Sequence, residues 1–327
     1  MTFRLLRSSG ICALLLALWF NGFESAHAAT TFAFATVDQG RAIITARDEY
    51  VQRLSPLERA LKMKSESAIS EAEFLRRMAM SIQSWPESER AAVQAALDSI
   101  RPRLAELDLP LPSTVVFVRF TGGVEGNSPH TRANAVLLTE ELLQRPALLP
   151  HVLAHELFHI ASRQDKAWRD AMYATIGFMP IEEVALPAPL ATRKITNPDA
   201  PRIDVAIKIQ TGQGSVWVTP LIQATVDRYD AYQGGEFLKY MKLSWLEVAR
   251  GDAAPTRADL SQQPQLRETA ELSGFVEQIG RNTGYIIHPE EILAENFAQL
   301  VTGKTAPSPE VHQRLREALQ RHPSIRR

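Results

Sequence analysis

The chain of 327 residues predicts an α+β fold that is mostly helical, and three observations predict it. Apolar residues recur at helical spacing through the N-terminal third, as at Phe74, Met78 and Ile82. Thr114-Val115-Val116-Phe117-Val118-Arg119-Phe120 is dense in β-branched and aromatic residues and reads as the clearest strand. From Pro180 to about Pro264 helical text yields to prolines and β-rich runs, and helical spacing then returns.

In chain order, residues 1–28 read as a secretory leader. Arg4 and Arg7 supply the charged start, residues 11–20 the apolar stretch, and Ala26-His27-Ala28 a small-residue site cleaved before Ala29. The apolar run is too short to span a membrane. An uncleaved anchor is the competing reading, disfavoured because residues 21–25 break the run and the cleavage site follows directly. Cys12, the only cysteine, lies inside this leader, so the mature chain has no thiol and no disulfide, and its fold rests on core burial. The expected location is periplasmic or secreted, with no stable membrane span after cleavage.

Helices are expected over residues 40–54, 56–65, 67–85 and 86–107, three of them opening on Pro or Ser at or near the first turn. Pro110-Leu111-Pro112-Ser113 interrupts this helical region, taken as residues 29–110. After the strand at 114–120 comes a loop over 121–130 with three glycines, then a second strand at 134–138 and a short turn at 140–143. A helix is expected over 146–162, with 165–176 as its continuation or a following helix. Residues 180–264 form a β-containing insertion within a domain of residues 111–327, because no polar linker sets them apart. Its β-rich runs are 203–209 and 215–219, with an aromatic-rich stretch at 237–248. Helices at 265–279, 289–301 and 309–321 complete the reading.

Removing Arg4, Arg7 and Glu24 with the leader takes the formal charge from −1 to −2. A nucleic-acid binder would carry a basic excess or stripe, and the weak basic run at 321–327 is neither, so no nucleic-acid partner is expected. No repeat, low-complexity tract or oligomerisation signature is visible.

The residues that carry chemistry are His155-Glu156-Leu157-Phe158-His159, an H-E-x-x-H motif in an apolar setting. Positions four apart on an α-helix share a face, so both imidazoles can hold one Zn²⁺ while Glu156, one position round, reaches the attacking water. Two core histidines beside a solvated Glu is the plainer alternative. It leaves the polar cost of burial uncompensated, and a metal compensates it. Catalytic zinc takes three protein ligands and keeps a fourth position open. After His159 come Ile160-Ala161-Ser162-Arg163-Gln164-Asp165, which lack the Gly and third His of a metzincin. A carboxylate on a second helix is the remaining solution, and His288-Pro289-Glu290-Glu291-Ile292-Leu293-Ala294-Glu295 is the best stretch for it. Acidic residues after Pro289 also suit a helix N-terminus for dipole reasons alone.

With these two motifs the chain resembles the gluzincin group of zinc metallopeptidases, the thermolysin-like and related families. Their second helix carries a ligand Glu followed four residues later by an acidic group. The resemblance spans about residues 151–160 and 288–298, with Glu295 where Asp is commoner. It implies a zincin-like active-site helix next to a small sheet, with His155, His159 and Glu291 as zinc ligands. Glu295 would orient His155 or His159 from behind. Glu295 and His288 stay open as alternative ligands, and the roles of Glu291 and Glu295 are interchangeable at this stage.

Among neighbouring polar residues, His151 reads as a surface or capping residue, and Tyr285 either donates to a developing oxyanion or packs with a wet hydroxyl. Arg193, Asn197 and Asp199 lie in a Pro-rich loop that borders the cleft or not. The mechanism implied is hydrolysis of a peptide or protein substrate, with Glu156 taking the proton of a zinc-activated water. By resemblance, an edge strand beside the motif helix pairs with the substrate, and residues 134–138 are the candidate, with an ordinary internal strand as the equal alternative. The rivals are a zinc hydrolase of another amide, such as a cell-wall peptide, and a zincin-fold scaffold with little turnover.

Overall fold

A computed structural model describes residues 30–107, 109–212, 214–261 and 263–321. The leader reading, Cys12 and the basic run beyond Arg321 lie outside the described residues. The fold is α+β and mostly helical, with 44% helix against 19% strand.

The chain opens with a strand absent from the sequence reading, β1 (Thr31–Phe34), followed by α1 (Val37–Ile44) and α2 (Glu49–Arg53). The single helix expected over 40–54 is thus two. Thr36 and Gln39 form a capping box that starts α1 early, and Asp48 caps α2 after an extended break. α3 (Pro56–Lys62) starts on Ser55 as its cap, and α4 (Glu71–Ser81) on Ser70. Residues 67–85 are therefore helical only in part. At their end Ile82 and Gln83 form β2 (Ile82–Gln83), and α5 (Glu87–Ala105) follows.

β1 pairs in parallel with β3 (Thr114–Phe120), which pairs in parallel with β5 (Ala135–Thr139), while β2 lies antiparallel to the end of β3. The far edge is β4 (His130–Arg132), antiparallel to β5. This corrects the edge expected at 134–138: β5 is enclosed by β3 and β4, and the edge belongs to a strand inside what read as loop. Three residues are too few to show a period of two. The turn joining β4 to β5 carries no glycine, because Ala133 itself takes the left-handed φ of 50°.

α6 (Glu140–Leu143) leads to α7 (Leu149–Gln164), the motif helix, whose Pro150 sits in the first turn. Asp165 adopts extended backbone and caps α8 (Lys166–Ala174), so α8 is a following helix rather than a continuation. The insertion then builds a second, wholly antiparallel sheet. It runs β6 (Phe178–Pro180), a short α9 (Ala188–Ala191), β7 (Val205–Thr211), β8 (Gly214–Ala224), β9 (Met241–Arg250) and β10 (Leu266–Arg267), in the spatial order β10-β9-β8-β7-β6. The aromatic-rich stretch at 237–248 is mostly β9. Residues 265–279, expected helical, pair with β9 at Leu266–Arg267 and are helical only in α10 (Phe275–Ile279) and a short 3₁₀ turn. α11 (Pro289–Thr302) and α12 (Pro309–Arg321) end the described chain.

One core joins both sheets and the long helices. It gathers Leu97 and Ile100 of α5, Val115 and Phe117 of β3, Leu157 and Phe158 of α7, Ile207 and Val218 of the second sheet, and Phe297 of α11. Residues on both sides of position 110 share this core and the first sheet. Burial at an apolar contact of this kind contributes roughly 25 cal/mol per Å² removed from water. It fixes α7 and α11, the most extensively packed helix pair among the described residues, face to face. No described helix is long and apolar enough to cross a membrane.

Candidate metal centre

α7 turns His155 and His159 towards α11, and α11 answers with Glu291. The Nε2 atoms of His155 and His159 stand 3.1 Å and 3.5 Å from the same oxygen, Oε2 of Glu291, and the three residues form a group able to hold a metal ion. Donor atoms each 2.0–2.2 Å from a tetrahedral zinc stand roughly 3.3–3.6 Å apart, so these separations fit such an ion with little adjustment. The two imidazole planes cross at 84°, as two ligands on adjacent turns must do to converge.

Behind each imidazole stands a second carboxylate. Nδ1 of His159 lies 2.8 Å from Oε1 of Glu290, which also accepts the Ser162 hydroxyl, while the Tyr173 hydroxyl donates to the other oxygen of Glu290. Nδ1 of His155 lies 3.5 Å from Oε2 of Glu295, which is 3.0 Å from Nε2 of His151. Such partners fix which ring nitrogen faces the metal. Glu295 therefore stands behind His155, and His159 is held by a residue not singled out in the sequence. Glu290 sits in the first turn of α11, where an acidic residue needs no further explanation, and that hides its role. His288 is the N-cap of α11, its Nδ1 accepting the Glu290 backbone N–H at 3.1 Å, and it is not part of the metal group. Burial pushes its pKa down to about 4.

Burial works against protonation of His155, yet hydrogen bonds to Glu291 and Glu295 push it up to about 9. Glu291 shows the reverse balance: burial opposes ionisation, but the His159 and His155 charges and hydrogen bonds hold it well below the usual carboxylate range. Hydrogen bonds from His151 and His155 likewise hold Glu295 low. Glu156 is only 3% exposed, and its Oε2 has no hydrogen-bond partner. Burial first, and then the Asp199 carboxylate, pushes it up to about 8.

A cleft of about 270 Å³ opens onto the centre, lined by Pro129, His151, His155, Glu156, Tyr285 and Asp199 among others. The Tyr285 ring is half exposed and lies 6.5 Å from that of His155, nearly parallel to it. The insertion contributes the loop at 196–202. Asn197 Nδ2 donates to Oε1 of Glu291 at 2.6 Å, and Asp199 Oδ1 accepts both the backbone N–H (2.8 Å) and the hydroxyl (2.5 Å) of Thr131 in β4. Asp199 thus borders the cleft and Asn197 reaches it through Glu291, whereas Arg193 binds Ala224 O and Asp227 outside it.

In comparisons with known proteins, no family model, curated protein or solved structure matches this chain.

Proposed function

We propose that this chain is an exported zinc-dependent peptidase of gluzincin type that hydrolyses bonds in a peptide or protein substrate. The observation that carries the reading is the convergence of His155 Nε2, His159 Nε2 and a Glu291 oxygen at zinc-like spacings, with the free oxygen of Glu156 in the same cleft. When bound there, zinc supplies Lewis acidity, bringing the pKa of a water towards neutrality and polarising a carbonyl. Glu156 Oε2 accepts the proton of the attacking water and delivers it to the leaving nitrogen. Glu290 and Glu295 hold the two imidazoles in the tautomers that present Nε2. The Tyr285 hydroxyl is the candidate donor to the developing oxyanion, and β4 offers an edge with which an extended peptide pairs through main-chain hydrogen bonds. Export rests on the leader read over residues 1–28.

The test is a comparison of wild type with Glu156→Gln. Both are expected to hold about one zinc per chain, and the variant to cleave an unstructured protein substrate several orders of magnitude more slowly, because an amide cannot accept the proton. Equal rates would move the activity to another site, and wild type without zinc would remove the metal centre.

A further inference from the structure

The 196–202 loop does more than border the cleft. The oxygen or nitrogen donors of Glu156, His159 and Asp199 come within 4.8 Å of one another, a second group able to take a cation, and it shares His159 with the first. One imidazole whose Nδ1 is already engaged by Glu290 cannot serve two ions, so Asp199 competes for the same metal rather than for a separate one. The unpartnered Oε2 of Glu156 marks the polar space between them. Asp199 also takes the outward N–H of Thr131, the donor that the free edge of β4 would offer to an extended chain.

The way the loop is held is informative. Among the described residues no backbone–backbone hydrogen bond anchors positions 196–202. Side chains hold them instead. Glu58 of α3 accepts the Thr196 N–H at 2.5 Å and its hydroxyl at 3.0 Å, Asn197 binds Glu291, Arg163 lies 3.6 Å from Asp199, and Arg202 pairs with Glu49 of α2. Pro198 and Pro201 limit the bends available in between. A segment tied by polar side chains at both ends, and by no ladder, can leave as a unit when those contacts break.

We propose that the 196–202 loop is a latch over the metal centre, with Asp199 as an additional protein ligand that takes the position the attacking water needs and covers the strand edge the substrate needs. This rests on the reading of His155, His159 and Glu291 as a zinc site. In the latched state the metal has four protein ligands and the β4 edge is filled. A peptide enters once Asp199 withdraws, which frees both at the same time because one carboxylate serves both.

The experiment compares full mature wild type with Asp199→Asn and Asp199→Ala, using zinc alone in competition with a chelator, the visible spectrum of the cobalt-substituted protein, and hydrolysis of an unstructured protein at saturating zinc. Asparagine retains the shape and can still accept from Thr131 but is a poor metal ligand. The expected result is a zinc dissociation constant raised at least about tenfold in both variants. The cobalt bands should shift in both, and hydrolysis should become severalfold faster in Asp199→Ala, which frees the Thr131 N–H as well as the metal position, and less so in Asp199→Asn, which frees the metal position alone. A dissociation constant within twofold of wild type overturns the latch whatever the rate, and so does weakened zinc with slower hydrolysis, which would make Asp199 part of the working machinery. Wild type that binds no zinc rejects the metal centre, and the latch with it. Wild type that binds zinc but is matched by both variants rejects the latch alone.

Discussion

At the scale of single residues, the adjacent acids Glu290 and Glu291 illustrate how one step along a helix changes a role. A rotation of about 100° separates them, so Glu291 meets the metal-facing nitrogens while Glu290 reaches Nδ1 of His159 from the other side. Glu290→Ala is therefore expected to raise the zinc dissociation constant about 10 to 100-fold, less than Glu291→Ala but well above wild type. A competitive zinc titration ranks the three, and a Glu290→Ala value equal to wild type would detach it from His159. Glu58 supports a separate prediction. Burial pushes its pKa up to about 7, against the pull of Lys62 and the Thr196 N–H. Because the folded value exceeds the unfolded one, the folded chain keeps a proton there between about pH 4.5 and 7 that the unfolded chain has lost. The stability this group contributes is complete below that window and lost as pH rises through 7. Relative to Glu58→Gln, wild type should lose about 1–3 kcal/mol between pH 4.5 and 7.5, read from urea midpoints, and a pH-independent difference would reject the assignment.

At the scale of elements, the candidate metal centre depends on two helices held in register. Phe297 of α11 packs its ring 5.6 Å from Phe158 of α7, both fully buried, about one and two-thirds turns beyond the candidate ligand Glu291. Phe297→Ala should cost about 3–5 kcal/mol through lost contact and the cavity left behind. Because α11 then sits less firmly on α7, zinc affinity should fall as well, although no ligand has changed. Denaturant unfolding with and without zinc measures both effects. Loss of stability with unchanged zinc affinity would show that the helix pair tolerates slack at the site. The strand elements teach a different lesson: β4 has only three residues, yet it forms the edge of the first sheet, because antiparallel pairing to β5 needs no more than a two-residue turn.

At the scale of the molecule, the candidate metal centre is a meeting point of distant sequence. From the first third, β1 pairs with β3 and α5 shares the core with the motif helix, while the insertion lends Asp199 to the cleft and Asn197 to Glu291. Removing residues 29–110 would strip the β1 edge from β3 and expose the α7 face that α5 covers. A chain starting at Leu111 is therefore expected to lack a cooperative thermal transition and to bind dye as a partly folded state, whereas the mature chain should unfold cooperatively. A stable, zinc-binding truncated protein would show instead that this region is dispensable for the fold.

Much of the site was legible because its chemistry is local. His155, Glu156 and His159 lie within one and a half turns of helix, and a period of 3.6 puts them on adjoining faces whatever the rest of the chain does. Long helices with a proline at or beside the start, such as α5 and α12, and the β-rich strand β3 were legible for the same reason. The resemblance to gluzincins also pointed to Glu291 and Glu295, but not to which imidazole each would meet. Glu295 behind His155, Glu290 behind His159 and Asp199 across the β4 edge are decided only where α7, α11 and the insertion converge. The physical reason is range. Hydrogen-bonded turns and alternating faces are set by neighbours a few residues away, whereas a contact across more than a hundred residues is set by which packed core leaves no void and no buried charge unpaired.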